Sequence, residues 1–255
     1  LKDVIQTKRT AMLHYCLYGD KEKRAYTPQR ITTQDSYSVN YSLDKWKSIC
    51  STDDKKIIFN KSNQPKISII IPTHNKPYYT LACLESLSTI NMIKDCEIIV
   101  VNDCSTDNTK KLLEKYIEGI ILINNETNLG FVETCNKGAN HANSPYVMFL
   151  NNDTILFKDT VTSLYNTIQA DNVGAIGGMI ITPDNLLKEA GSMVMGYGSC
   201  LGYGRSDDYN KTEYIYVREV DYCYGALLMT KTHLWSKIDG FDLAYSPGYY
   251  EEVDY

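Results

Sequence analysis

Ile67-Ser-Ile-Ile-Ile-Pro72-Thr-His-Asn75 is the stretch on which the reading of the fold turns. Residues 67–71 form a short β-branched run and Pro72 ends it, so the segment reads as a strand leading into a loop. Downstream, Leu81, Leu84, Leu87 and Ile90 recur at three-residue spacing, which is a helical face. A second strand is predicted over 97–102, bounded by Asp103. A helix carrying Leu112, Leu113 and Tyr116 follows, with Ser105 or Thr106 as its N-cap. The alternation continues with a strand over 119–124, a helix over 131–142, a strand over 146–150, a helix over 158–170 and a strand over 173–181. Short strands alternating with helix-length segments predict an α/β domain: a mostly parallel sheet flanked by helices.

Either side of this core the pattern changes. Residues 1–65 are polar and weakly periodic and are expected to form an N-terminal extension. Beyond 181, five glycines within 191–204 predict a loop or hairpin. A strand over 222–230 and a short helix over 231–238, ended by Gly240, follow. The chain starts at Leu1 and stops at Tyr255, directly after Glu251-Glu252-Val253-Asp254. These ends lead to the expectation of a C-terminally truncated domain over 66–255.

Composition narrows the function. A chain of 255 residues with 43% hydrophobic and 22% charged residues is long enough to bury a core and ordinary for a globular protein, which excludes wholesale disorder, collagen and coiled coil. No apolar run approaches the ~20 residues of a membrane-spanning helix, and residues 1–20 lack a signal peptide's apolar block. The expected location is the cytoplasm, with any contact with the inner face of the membrane peripheral. The net charge of −5 gives no basic field, so nucleic acid is not an expected partner. None of the eight cysteines forms a C-x-x-C pair, and they are expected to act as small hydrophobes.

Three strand ends carry polar residues: Pro72-Thr73-His74-Asn75, Asp103, and Asn151-Asn152-Asp153. In open α/β sheets ligands bind outside the carboxyl ends of the strands, so all three can face one crevice. Asp103 suits a base or ribose, or simply caps the following turn. The strand end fixes the backbone, so Asn151 and Asp153 are expected to project to one side and Asn152 to the other. Such oxygen ligands suit Mg2+ or Mn2+, though an Asn/Asp turn leaving a strand is also common. Asn128 and Gly130 precede a helix, where Gly130 can supply a backbone turn beside a ligand. Glu251, Glu252 and Asp254 crowd three carboxylates together, an arrangement that can raise one proton affinity and produce a general base, though on the residues alone a solvated acidic helix start is the commoner reading. No G-x-G-x-x-G follows the first strand and no phosphate-loop motif occurs, which counts against a dehydrogenase or a P-loop ATPase.

In this order the segments resemble the family-2 glycosyltransferases of the GT-A fold. The resemblance is carried by residues 67–75, by Ile98 to Thr109, by Asn128-Leu-Gly-Phe with Asn136-Lys-Gly138, by Phe149-Leu-Asn-Asn-Asp153-Thr, and by Gly240-Phe-Asp-Leu with Tyr250-Glu-Glu252-Val-Asp. It covers about residues 66–255 and is closest to the bacterial surface-polysaccharide, rhamnosyltransferase-like branch. Residues 14–24 are similar, more weakly, to a short helical element ahead of such domains.

The resemblance implies a Rossmann-like GT-A sheet with residues 66–153 as the nucleotide-binding half and 154–255 as the acceptor-side half. It implies an inverting transferase taking a sugar from a nucleotide-diphosphate donor, UDP or dTDP before GDP, to a hydroxyl of a glycan or lipid-linked glycan. Pro72, Thr73, Asn75, Asp103, Asn128, Gly130, Asn151 and Asn152 would then line the donor nucleotide, and Asp153 would hold Mg2+ or Mn2+. Asn151 stands where many members have the first Asp of a D-x-D motif. Glu252 stands where the family usually has Asp; it is the first candidate for the base, with Glu251 beside it. The alternative is a non-catalytic GT-A-like module that binds a nucleotide or glycan, or scaffolds a larger synthase.

Overall fold

The computed structural model describes residues 39–52 and 55–255. The element expected over residues 14–24, and most of the predicted N-terminal extension, lie outside the described residues. Within that extension, helix α1 (Val39–Thr52) buries Leu43 and Trp46, the latter set edge-on to Tyr116 at 6.0 Å between ring centres.

The elements that follow are β1 (Ile57–Ile58), β2 (Ile67–Thr73), α2 (Pro77–Leu87), β3 (Cys96–Asn102), α3 (Thr109–Tyr116), β4 (Ile117–Glu118), β5 (Ile121–Asn124), α4 (Gly130–Ala139), β6 (Tyr146–Leu150), α5 (Thr160–Ile168) and β7 (Ala175–Gly177). Next come β8 (Ile180–Ile181), β9 (Leu187–Glu189), β10 (Ser192–Val194), β11 (Cys200–Gly202), β12 (Leu227–Lys231), α6 (Thr232–Lys237) and α7 (Glu251–Asp254). The main sheet has six strands in the order β5-β3-β2-β6-β12-β7. The first four run parallel, while β12 is antiparallel to both neighbours.

Every residue of β2 is buried, because helices cover both faces of a parallel sheet. Ile67, Ile69 and Ile71 face α2, and Ile70 faces α4 with Val132 and Cys135. Helix α4 lies tight on the sheet at Gly138, where a Cβ would come within 2.5 Å of Ile70 Cγ2. That close approach fixes the height of the helix N-terminus above the strand ends.

Several boundaries differ from the sequence expectation. Strand β2 does not stop at Pro72 but runs through it to Thr73. Pairing with β6 ends at Ile70, while pairing with β3 continues to Thr73, so the proline occupies a half-edge position. The helix expected from Ser105 or Thr106 begins at Thr109, with Asp107 Oδ1 accepting from the Thr109 amide at 2.9 Å. The single strand expected over 173–181 is broken into β7 and β8, which belong to different sheets. The glycine-rich stretch is the hairpin β10–β11. Among the described residues all seven cysteines are free, and Cys83, Cys96, Cys135 and Cys223 are buried. No helix among them is long and apolar enough to cross a membrane.

Candidate active site

The carboxyl ends of β2, β3 and β6 deliver their loops to one crevice, as the topology of an open parallel sheet requires. Pro72 and Thr73 are buried strand residues. Thr73 Oγ1 lies 2.8 Å from Thr80 Oγ1 and accepts from Asn152 Nδ2 at 3.1 Å; the same Asn152 amide reaches Thr80 Oγ1 at 2.9 Å. Asn152 therefore ties the end of β6 to the end of β2. The backbone here is a turn, closed by the Thr154 amide on the Asn151 carbonyl at 3.1 Å. The strand alternation expected to carry past Leu150 stops there, and Asp153 is left exposed.

The loop after β2 is fastened to the loop after β3. Asn75, with φ at 58°, donates its main-chain N–H to Ser105 Oγ at 2.8 Å, and its Oδ1 accepts from the Thr106 amide at 2.8 Å. Ser105 thus braces Asn75 where the sequence suggested a helix cap. His74 Nδ1 lies 2.6 Å from the Asp103 carbonyl oxygen.

Asp103 is buried, and its carboxylate accepts three hydrogen bonds from its own chain. Oδ1 takes Asn125 Nδ2 and the Leu129 amide, each at 2.8 Å, and Oδ2 takes the Gly130 amide at 2.9 Å. These amides open α4, where a carboxylate also meets the positive end of the helix dipole. Asn128 is exposed above this junction and points its Oδ1 back to the Gly130 amide at 3.1 Å.

The acidic segment reaches the same junction from the far end of the chain. The Pro247 carbonyl accepts from the Phe131 amide at 2.6 Å, and Gly130, with φ at +82°, packs so close that a Cβ would lie 2.6 Å from Pro247 Cβ. Asn136 on α4 makes a two-way pairing with the Phe241 main chain, at 2.8 and 3.0 Å. Beyond α7, Tyr255 anchors the end: its ring centre lies 5.3 Å from that of Trp235 and its hydroxyl 2.6 Å from Thr230 Oγ1.

The two adjacent glutamates of α7 have different surroundings. Glu251 is buried close enough to Cys135 on α4 for its charge to disfavour the thiolate. Burial, then the charge of Glu252, pushes the Glu251 carboxyl up to about 7. Glu252 packs instead against Gly225, its Cβ 3.7 Å from where a Gly225 Cβ would sit. Burial raises its proton affinity, while its own amide and that of Gly225 pull the other way. Its Oε2, like that of Glu251, is buried without a hydrogen-bond partner.

Tyr224 senses the whole group. Burial holds its phenol above the ordinary range, and the charges of Glu189, Glu252 and Asp153 add to this, with Arg205 opposing them. Asp153, just past β6, and Glu252 on α7 thus both lie near enough to Tyr224 for their charges to act on its phenol. Glu189, Tyr224, Gly225 and Arg205 were not marked by the sequence reading. The available signal was Glu189 sharing a strand face with buried Leu187, a carboxylate on an apolar face.

Among the described residues no group of three or more His, Cys, Asp or Glu side chains could hold a metal by itself. One exposed carboxylate at Asp153 instead fits Mg2+ or Mn2+ of the kind that completes its shell with water and phosphate oxygens.

A Rossmann-like sheet with a polar crevice at its strand ends, and an acidic segment docked beside it, defines a class of group-transfer domains. The chain belongs to glycosyltransferase family 2, whose model, described as Glycosyl transferase family 2, matches residues 68–223, more than half of the chain. A 111-residue stretch is 36% identical to glycosyltransferase GlyA of Streptococcus pneumoniae, covering 42% of this chain and 16% of that protein. Another of 100 residues is 35% identical to poly(ribitol-phosphate) beta-N-acetylglucosaminyltransferase TarS of Staphylococcus aureus, covering 38% of this chain and 18% of the relative. The matched segments therefore span less than a fifth of these curated relatives. In fold, the chain resembles the mannosyltransferase PcManGT from Pyrobaculum calidifontis, solved with GDP-Man and Mn2+. The TM-score is 0.51 and the identity 15%, over 83% of this chain and 57% of that one. The GT-A fold class expected from the sequence is the observed one.

Proposed function

We propose that residues 66–255 form an inverting glycosyltransferase domain that moves a sugar from a nucleotide-diphosphate donor to a hydroxyl acceptor in bacterial surface-polysaccharide synthesis. The observation that carries this reading is the unpartnered, buried Oε2 of Glu252, near enough to Tyr224 for its charge, like that of Asp153, to act there. A desolvated carboxylate with a free lone pair is suited to take a proton from an acceptor hydroxyl. Family membership supports the reaction type, and the relatives' names support a bacterial glycan or polyol-phosphate polymer as the acceptor class.

In this reading the donor lies across the ends of β2, β3 and β6, within residues 66–153. Asn75, Asn128 and Asn151 meet it, while Pro72, Thr73, Asp103, Gly130 and Asn152 form the wall behind. The acceptor approaches over residues 154–255. Its hydroxyl proton passes to Glu252, its oxygen bonds to the anomeric carbon, and the bond from that carbon to the diphosphate breaks with the electron pair leaving on the diphosphate. Mg2+ or Mn2+ held by Asp153 and the diphosphate would supply neutralising charge for that leaving group.

Calorimetric titration with UDP, dTDP and GDP, each with and without Mn2+, tests the donor site. Metal-dependent binding of one nucleotide is expected, UDP or dTDP before GDP. No binding by folded protein overturns the donor site and returns the chain to the non-catalytic alternative.

A further inference from the structure

The hairpin β10–β11 and the turn after it enclose a cleft of about 500 Å3, lined by Met193, Leu201, Tyr203, Arg205, Asp207 and Tyr214 among others. Residues 190–204 carry no charged side chain. Met193 and Leu201 are cross-strand partners and both are exposed, while the alternate residue Ser192 is buried. The aromatic wall is held firmly. Tyr203 and Tyr214 meet edge-on at 5.5 Å between ring centres, and the Arg218 guanidinium lies 3.9 Å from the Tyr203 ring centre. Tyr214 donates its hydroxyl to Asp207 Oδ2 at 2.7 Å, Lys211 Nζ reaches the same oxygen at 2.7 Å, and Asp207 Oδ1 accepts from the Asp208 amide at 2.8 Å. Asp207 is thus fully engaged. Arg205, by contrast, is exposed and makes no ion pair or hydrogen bond among the described residues. The cleft adjoins the proposed base: Ser192 pairs with Gly202 on one side and bridges to Tyr222 on the other, so Gly202 and Tyr222 stand two strand spacings, about 10 Å, apart. Three residues on from Tyr222, a Cβ on Gly225 would lie 3.7 Å from Glu252 Cβ.

We propose that this cleft binds an uncharged sugar unit of the acceptor glycan, set back from the hydroxyl that reacts at Glu252. A sugar ring presents apolar C–H faces and a rim of hydroxyls, which match aliphatic and aromatic walls with a few polar groups among them. A phosphate chain calls for a cluster of cations, and here Lys211 answers Asp207 while Arg205 alone is left to bind a ligand. A lipid tail would strip water from Arg205 and the Asp207–Lys211 pair and return no hydrogen bond. The inference rests on the reading of residues 154–255 as the acceptor side and narrows the acceptor class to a glycan, but its test requires neither donor nor turnover.

Carbon-13 NMR of the methionine methyl groups, in the whole chain without nucleotide or metal, reads the cleft through Met193, whose signal is assigned by its loss in Met193→Leu. Titration with the methyl pyranosides of glucose, galactose, rhamnose and N-acetylglucosamine is expected to move that signal saturably with at least one of them. Arg205→Ala, at an exposed position, should weaken the binding roughly 3–10-fold, the worth of a hydrogen bond or two. Leu201→Asp, also at an exposed position, should weaken it as well. No movement with any of the four sugars, or an affinity unchanged in both variants, overturns the proposal. Movement with glycerol 3-phosphate or with phosphatidylglycerol vesicles, but with no pyranoside, overturns it in favour of a phosphate polymer or a lipid surface. Sugar binding by a chain that binds no nucleotide with Mn2+ upholds the cleft and overturns the donor-site reading alone.

Discussion

The Pro247 carbonyl accepts a hydrogen bond from the Phe131 amide at 2.6 Å, joining the acidic segment to the first turn of α4. The same turn is held from its other side by Asp103, through the Leu129 and Gly130 amides. One helix N-terminus therefore sets the distance between the nucleotide side of the crevice and the carboxylate proposed as base. Its orphan N–H groups are divided between a carboxylate 26 residues upstream of Leu129 and a carbonyl more than a hundred residues downstream.

Gly130→Ala tests this junction. The positive φ of Gly130 and the 2.6 Å approach to Pro247 leave no room for a methyl group. A stability loss of about 1–3 kcal/mol is expected from backbone strain and the displaced loop. Turnover should fall further than nucleotide affinity, because the shift lies on the Glu252 side. Urea unfolding and steady-state kinetics measure the two effects.

Asp103→Asn replaces one acceptor oxygen with a donor facing an N–H group. Facing the Gly130 amide or the pair held by Oδ1, the new NH2 leaves a buried donor without an acceptor, at a cost of about 1–3 kcal/mol. Reduced stability together with weaker nucleotide binding is expected. A variant as stable as the parent by thermal unfolding would contradict this bracing role.

Asp153→Ala and Glu252→Gln should separate binding from chemistry. Asp153→Ala is expected to remove the Mn2+-dependent part of nucleotide binding in calorimetry. Glu252→Gln should leave that binding intact while lowering turnover by roughly 10²–10⁴-fold, the usual contribution of a general base. Mn2+ without nucleotide should bind weakly to the parent protein, since Asp153 supplies one carboxylate and the remaining ligands come from phosphate and water.

Glu251 predicts a pH dependence of stability. Its carboxyl is raised from 4.5 to about 7 in the folded chain, so between these values the folded state holds a proton that the unfolded state has released. The stabilising contribution is full below pH 4.5 and is lost as pH rises through about 7. Glu251→Gln, which stays neutral, should therefore raise the melting temperature more at pH 8 than at pH 5. Equal shifts at both values, read by calorimetry, would show that Glu251 is not held protonated by burial.

Local pattern carried most of the nucleotide half. The run 67–71, the helical face from Leu81 to Leu87 and the strand 146–150 were legible because burial on a parallel sheet demands uninterrupted apolar runs of strand length. The acceptor half was less legible. Its strands are two to five residues long, too short for a period to register, and β12 reverses direction within a sheet otherwise entered in parallel.

The sequence by itself determined that Asp103 and Asp153 follow strand ends and that Glu251, Glu252 and Asp254 are crowded together, since residue type and strand ends are local facts. Only the tertiary structure decided how each is used. It turned Glu251 toward Cys135 and Glu252 toward Gly225, although the two are adjacent in the chain. It committed the Asp103 oxygens to Asn125 and the amides that open α4, and brought Tyr224 within reach of the charges of Asp153 and Glu252. Proton affinity and hydrogen-bond partnership depend on what surrounds a group in three dimensions, and those neighbours come from segments 22 residues apart, as for Asp103 and Asn125, to more than a hundred, as for Glu251 and Cys135.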